Sequence, residues 1–380
     1  MNGRPWLNLE LGPEPPVNGD GDGAAIGTRV FGKLLRALAS VLGCAGAACL
    51  FARLLAHADA AATWRAIASG GPLAALALVP FVLGMTIDAY GTAVLLRALG
   101  SPTTLVQVLP VRIASEALHG SIPAGFVASD TATAMLLRSR AGVPLRDGVV
   151  ASIARKWLVM RAHSCYIVAG AIGGFGALAA SSSRLVGGRA LPWIVLGSAV
   201  VPLAASWIVG AGLLGRSTFA RLHRALRNAP WRRVRRWAEI RKHDVVGTDA
   251  QVARLRAARS ATNHATLAFL GCWCVEALES ALLLRLVGAD VPISGVFAAE
   301  AGLSLVRSLV VLAPSGLGVV DLGYATVFPL LGSDANSAAA FVVLKRTKEL
   351  AWMVAGYAIL ATMRGRVPSE SLVPATLPPC

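Results

Sequence analysis

The sequence predicts an all-α, polytopic integral membrane bundle with about six crossings and two re-entrant helical hairpins, arranged as an inverted repeat. Three observations lead there. Of 380 residues, 55% are hydrophobic and 15% charged, against roughly 25% charged in an ordinary soluble domain, and mean hydropathy is +0.63. Apolar runs close to the length that crosses a bilayer recur along the chain, and two more are interrupted by Pro, Gly and ionisable residues. This composition argues against a soluble enzyme. The net charge of +16 would suggest nucleic acid on a soluble protein, but here the basic residues lie mostly between apolar runs.

Residues 1–28 are rich in Pro, Gly, Asn and Asp with no apolar run, so they read as a disordered tail and not as a cleaved signal. Apolar runs follow at 34–55, 73–96, 162–181, 191–214 and 264–287, and at 350–363, which is extended by 336–349. The stretch 104–138 is broken by Arg112, Glu116, His119, Pro123 and Asp130; 295–331 is broken by Glu300, Arg307, Pro314 and Asp321. A Pro with Gly two residues later interrupts a helix, and irregular backbone at membrane depth survives only against protein or a cavity. Both stretches are therefore read as hairpins turning at Pro123, Gly125 and Pro314, Gly316, with a Pro-kinked span as the alternative. Residues 364–380 form a C-terminal tail.

Between 216 and 260, 13 Lys and Arg face only Glu239, Asp244 and Asp249, which makes this segment cytoplasmic by the positive-inside rule. Walking outward puts the N-terminus, residues 138–147 and the C-terminus on the same side. The run Arg232-Arg233-Val234-Arg235-Arg236 reads as a topology determinant that touches anionic headgroups, with no nucleic-acid partner.

Shifting the sequence by 191 residues superposes the two broken stretches without gaps. Pro123-Ala-Gly125 falls on Pro314-Ser-Gly316, Asp130 on Asp321, Arg155 on Arg346 and Asp88 on Glu279. Span 73–96 coincides with 264–287, and the charge walk gives these two spans opposite directions. The transmembrane domain, 29–363, thus holds repeat 1 (about 73–181) and repeat 2 (about 264–363). Inverted repeats of this kind place a substrate at their interface, beside discontinuous helices.

Each charged side chain on a membrane helix costs about 2.5–3.5 kcal/mol on insertion scales, so each is a functional candidate. Arg112, Glu116 and His119 share one helix face; Glu300 and Arg307 share another. Asp130 and Asp321 come from the second arms, Asp88, Glu276 and Glu279 from the preceding spans, and Arg155, Lys156, Lys345 and Arg346 from the following helices. Arginines suit phosphate oxygens, while carboxylates hold an amine or neutralise the arginines of an empty site. The alternative is that they pair internally, for instance Arg112 with Glu116, and pin the hairpins together.

Gly170, Gly173, Gly174 and Gly176 read as close-packing positions, and His119 and His163 as polar packing residues. The six cysteines show no metal-type or disulfide-type spacing. Phosphate loop, nucleophile elbow, zinc motif and dinucleotide fingerprint are all missing, so no catalytic residue, metal or cofactor is expected.

Arg112 through Asp130, with Ser121-Ile122-Pro123-Ala124-Gly125 and the Arg155 helix, and Pro314-Ser-Gly-Leu-Gly-Val-Val-Asp321 followed by Lys345-Arg346, resemble the flippase-like transmembrane domain of lysylphosphatidylglycerol synthases. The resemblance extends to its stand-alone relatives, some of which accompany hopanoid biosynthesis. In that family the second motif usually carries Glu where this chain has Asp321, and the first tends to have an extra Gly and a Glu near Ala128 to Asp130. The resemblance covers roughly 34–363 and implies a bacterial inner-membrane protein that moves or accommodates a lipid. Roughly 17 residues follow Met363, too few for the soluble aminoacyl-transfer domain of the synthases, so an enzymatic synthase activity is not expected.

The expected function is binding and translocation of an anionic or zwitterionic lipid, or of a lipid-linked precursor. Arg112, Arg155, Arg307 and Arg346 would meet phosphate, with Asp88, Glu116, Asp130, Glu279, Glu300 and Asp321 balancing charge. The alternatives are a membrane-embedded lipid-modifying transferase and a non-catalytic partner of a lipid-biosynthetic enzyme.

Overall fold

The computed structural model describes residues 59–121, 125–185, 187–214, 218–228, 242–309 and 316–364, with isolated positions elsewhere. The expected tail 1–28, most of the first crossing 34–55, most of the Arg232–Arg236 run, Pro123, Pro314 and residues 365–380 lie outside the described residues. Within them the elements are helices: α1 Ala60–Ser69, a 3-10 segment Gly71–Leu78, α2 Val79–Ala98, α3 Leu105–Ser121, α4 Gly125–Ala141, α5 Leu145–Gly173, α6 Phe175–Leu185, α7 Ala190–Ser198, α8 Val200–Leu214, α9 Thr218–Arg227, α10 Lys242–Ala257, α11 Arg259–Leu286, α12 Ile293–Leu309, α13 Val319–Leu330 and α14 Ala335–Arg364. Three continuous segments among them are long and apolar enough to cross a membrane: Gly71–Ala98, Ala190–Gly212 and Arg259–Leu286.

The expected span 162–181 is corrected. The helix in this region starts far earlier, at Leu145, runs 29 residues to Gly173, and then bends by 75° into α6. Its first half escaped an apolar scan because Arg146, Asp147, Arg155, Lys156 and Arg161 interrupt it. The bend falls at Gly174, where backbone and side chains of α12 come so close that only a missing side chain fits: a Cβ there would lie 2.3 Å from Ala298 Cβ and 2.6 Å from Ser294 O. Gly170 likewise meets Ala301, whereas Gly173 and Gly176 have open space where a side chain would go. The last expected crossing joins its extension into one helix, α14, of 30 residues. Asp334 starts it by accepting the amides of Asn336 and Ser337, both at 2.9 Å, which satisfies donors that have no partner within the helix.

Both broken stretches double back. Along α3 and α4, Gly125 lies against the carbonyls of Leu118 and His119, and Thr133 bonds Ser115, so the touching pairs move down one arm as they move up the other. In the second stretch Gly316 lies against Arg307 and Gly323 against Leu303, with Tyr324 bonded to Glu300. A kinked span would leave its two halves end to end, so these are antiparallel hairpins.

The two halves are also antiparallel. Spans α2 and α11 form the most extensive helix pair among the described residues: Gly84 lies against Val275, Ile87 against Gly271, and Gly91 against Phe269. Gly84 and Val275 are themselves related by the 191-residue offset, which sets the pseudo-two-fold axis through the point where they touch, across the helices. The long helices obey the same symmetry by exchange. Helix α5 of the first half packs on α12, the leading arm of the second hairpin, and α14 of the second half packs on α3, the leading arm of the first.

Polarity is inverted relative to a soluble protein. Val106, Trp207 and Val354 are 81%, 75% and 70% exposed, while Arg112 is 1% exposed. An apolar exterior around charged interior residues is what a hydrocarbon solvent demands.

The packing of α5 on α12 gives a paired prediction. Gly174→Ala forces a methyl into Ala298 and the Ser294 carbonyl, so stability falls by about 1–3 kcal/mol. Gly173→Ala, with nothing within 4 Å, stays within about 0.5 kcal/mol of the parent. Thermal unfolding of both variants in detergent checks the difference.

Candidate functional site

The spans, the hairpin turns and the long helices enclose a central cavity of about 630 Å³, touched by both turn glycines, Gly125 and Gly316. Gly125 is required there because a Cβ would stand 2.4 Å from the His119 carbonyl oxygen; Gly316 is required because its φ of +67° is left-handed. Gly125 and Gly316 thus bring bare backbone to the cavity wall. Among apolar wall residues such as Phe81, Met85, Phe269 and Trp352, carboxylates Asp88, Glu116, Glu276, Glu279 and Glu349 stand with cations Arg155, Lys156, Arg307, Lys345 and Lys348. Five of each sign make these walls neutral as a set.

In the first half, Asp88 on α2 is the shared acceptor. Arg112 Nε donates to Oδ1 at 2.7 Å, and Arg155 grips both oxygens through Nε, at 3.2 and 3.1 Å, and through Nη2. Arg112 also donates to Thr133, which passes the chain to Ser115. Its approach to Glu116 is looser, 3.7 Å, so the internal pairing considered from sequence is secondary to Asp88. Lys156 donates to Asp130 at 2.6 Å.

In the second half, Glu300 accepts from Lys345 at 3.1 Å, from Tyr324 at 2.9 Å and from Ser280. Arg307 donates to Glu276 and, at 2.9 Å, to Tyr324. Arg346 holds Asp321 at 2.8 Å and also Glu349, while Lys348 holds Glu279. Asp321 has a second duty, accepting the Gly318 amide at 2.8 Å at the start of α13.

The ten residues singled out in the sequence fall into three places. Asp88, Glu116, Arg155, Glu279 and Arg307 reach the cavity wall. Arg112, Glu300, Asp321 and Arg346 stand behind it as partners, outside the wall; Arg112, Glu300 and Asp321 are no more than 2% exposed. Asp130 lines a separate groove. Lys348 and Glu349 were missed, because they sit in the apolar run of α14 and the 191-residue offset maps them onto Trp157 and Leu158.

The ion pairs are crossed between halves. Arg155 holds the carboxylate of the preceding span, Asp88, and its neighbour Lys156 holds that of the hairpin, Asp130. Arg346, the counterpart of Arg155, instead holds the hairpin carboxylate Asp321, and Lys348 holds the span carboxylate Glu279. A second asymmetry lies on the leading arms. Glu116 and Arg307 occupy equivalent positions, 191 residues apart, and carry opposite charge. Both remain partly open, their side chains 32% and 26% exposed.

His163, on α5, bonds Ser304 of α12 at 2.6 Å and stacks on Trp273 with centroids 4.1 Å apart. It fastens α5 to α12, which is a packing role. No group of three or more metal-type side chains forms among the described residues.

A family model for the lysylphosphatidylglycerol synthase transmembrane region matches residues 40–356. The chain belongs to that family. No curated protein and no solved structure matches it. Membership and the apolar helices make it a multi-pass membrane protein of a lipid-related family.

Burial separates structural from accessible charge. Removing Asp88 leaves two guanidinium groups without their carboxylate, so Asp88→Ala lowers stability by about 3–5 kcal/mol. Glu116→Gln, at a half-open position with a distant partner, changes it by less than about 1 kcal/mol. Denaturant unfolding in mild detergent measures both.

Proposed function

We propose that the protein receives a zwitterionic phospholipid headgroup in the central cavity and passes it between the leaflets of a bacterial inner membrane. The observation that carries this reading is the opposite charge of Glu116 and Arg307 at equivalent, partly open positions on the two leading arms. A ligand lying across the pseudo-two-fold axis would meet a carboxylate on one side and a guanidinium on the other. An amine suits the first and a phosphate the second. A wholly anionic headgroup would find one partner and face the other's like charge.

The antiparallel halves support movement as well as binding, because in inverted-repeat transporters one half rocks against the other around a fixed site. The crossed ion pairs suit such a motion. If the halves trade conformations, Arg155 passes from Asp88 to Asp130 and Arg346 from Asp321 to Glu279, so each of these arginines keeps a carboxylate in the new arrangement. No covalent step and no nucleotide is needed. The termini and the basic segment 216–260 are assigned to the cytoplasmic side by their Lys and Arg content, where anionic headgroups would be their partners.

The test is leaflet exchange of fluorescent phosphatidylethanolamine and phosphatidylglycerol in proteoliposomes, with native lipid extract alongside. Wild type moves the zwitterionic lipid faster. Glu116→Gln, chosen because it spares the buried pairs, slows it about tenfold or more, as expected for removal of a charge-assisted bond of about 1.5–3 kcal/mol. Trp207→Leu, on the lipid-facing exterior, has no effect. A folded wild type that moves none of these lipids, or a Glu116→Gln variant that matches it, overturns the reading and turns the search to a lipid-modifying reaction or a partner enzyme.

A further inference from the structure

Beside the central cavity lies a second, smaller hollow of about 270 Å³ between the trailing hairpin arm α4 and the start of α5. Its walls are almost wholly apolar, from Ala134 and Met135 on one side and Val149 and Ile153 on the other, and the charged group on its rim is Asp130. Met135 is 61% exposed and Val149 38%, so the hollow opens sideways through the apolar exterior.

One ion pair links the walls of the two spaces. Lys156 belongs to the cavity wall and Asp130 to the groove wall, and they meet at 2.6 Å with side chains 38% and 31% exposed. The second half has no such opening among the described residues. There Asp321, the counterpart of Asp130, is 2% exposed, and Ala340, the counterpart of Val149, is 0% exposed. Asp321 is held by Arg346 and by the Gly318 amide, which closes the equivalent place.

We propose that this groove is the acyl-chain site of the lipid whose headgroup enters the cavity, and that the Lys156–Asp130 pair is the portal the glycerol backbone straddles. The inference rests on the headgroup reading of the cavity and adds where the tail goes. A phospholipid cannot bring only its polar end into a protein; its chains must remain in hydrocarbon. This groove offers an apolar bed whose wall is tied to the cavity wall by one polar pair, Lys156 and Asp130. Lys156 can donate to ester or phosphate oxygens at the gate, and the bed accepts methylenes. One open groove and one sealed counterpart further mean that the tail leaves from the first half only in this conformation.

The test uses full-length protein in phosphatidylcholine nanodiscs doped with two photoreactive probes that carry the same diazirine-tipped acyl chain. One is a phosphatidylethanolamine and the other a diacylglycerol without a headgroup. Photolysis and peptide mapping are expected to place adducts of the first probe on Met135, Val149 and Ile153. Labelling should saturate as probe fraction rises, and drop at least about fivefold in Val149→Trp, which fills the groove. Leu267, 64% exposed on α11, serves as the bulk-lipid reference, labelling in linear proportion in both proteins. Groove labelling that climbs linearly in parallel with Leu267, or that survives Val149→Trp, overturns the proposal. Met135→Trp is the second filling variant should Val149→Trp fail to fold. Saturable labelling by both probes alike keeps the acyl-chain site and removes the headgroup reading, whereas preference for the phosphatidylethanolamine supports both.

Discussion

Asp88 accepts two guanidinium groups at once, from α3 and α5, and the bundle is organised around the need that this pairing expresses. A charge carried into hydrocarbon must find its opposite inside the protein, because desolvation there costs several kcal/mol per ion even after relaxation. The ion pairs of the site therefore dictate which helices touch. Arg112 ties α3 to α2, Arg155 ties α5 to α2, Lys345 ties α14 to α12, and Lys348 ties α14 to α11. Small residues then let those helices approach: Gly174 meets Ala298 between α5 and α12, and Gly356 meets Ala117 between α14 and α3, one contact on each of the two helix pairs that the halves exchange. Packing in this fold follows the electrostatics, since apolar side chains are little better off against another helix than in lipid.

What could be read from the amino-acid order was what the two halves share. Both hairpins, the direction of the spans and the pairing of Asp88 with Glu279 or Arg155 with Arg346 as equivalents follow from one offset and a charge count. What could not be read that way is charge present in one half alone. Lys345, Lys348 and Glu276 align with Ala154, Trp157 and Met85, so self-similarity passes over them, although each reaches the cavity wall. The start of α5 was illegible for a related reason. The charged face of α5 that builds the site, with Arg155 and Lys156, also interrupts the apolar run by which a span is recognised.

Equivalence in sequence also hides a difference in place. Helix α13 begins at Val319, so Asp321 falls in its first turn, where it accepts a backbone amide and becomes part of the turn. Helix α4 begins three residues earlier in the common register, at Gly125, which carries Asp130 beyond the first turn. There Asp130 holds Lys156 and lines the groove. A shift of less than one turn in where two helices start separates a structural carboxylate from an accessible one.

That shift bears on how the site can change state. Two halves with identical local geometry would sit on a symmetric structure with no preferred side, and a cavity at its centre would face both leaflets equally. Here the span acid is held by Arg in one half and by Lys in the other, and one hairpin acid is sealed while the other lines an opening. The two arrangements differ in the number of ion pairs, yet in each of them every carboxylate of the cavity wall meets a cation. A ligand can shift a balance between two such arrangements only by its difference in affinity for the two states. On the proposed headgroup reading, one charged hydrogen bond made or broken, at about 1.5–3 kcal/mol, shifts such a balance about tenfold or more.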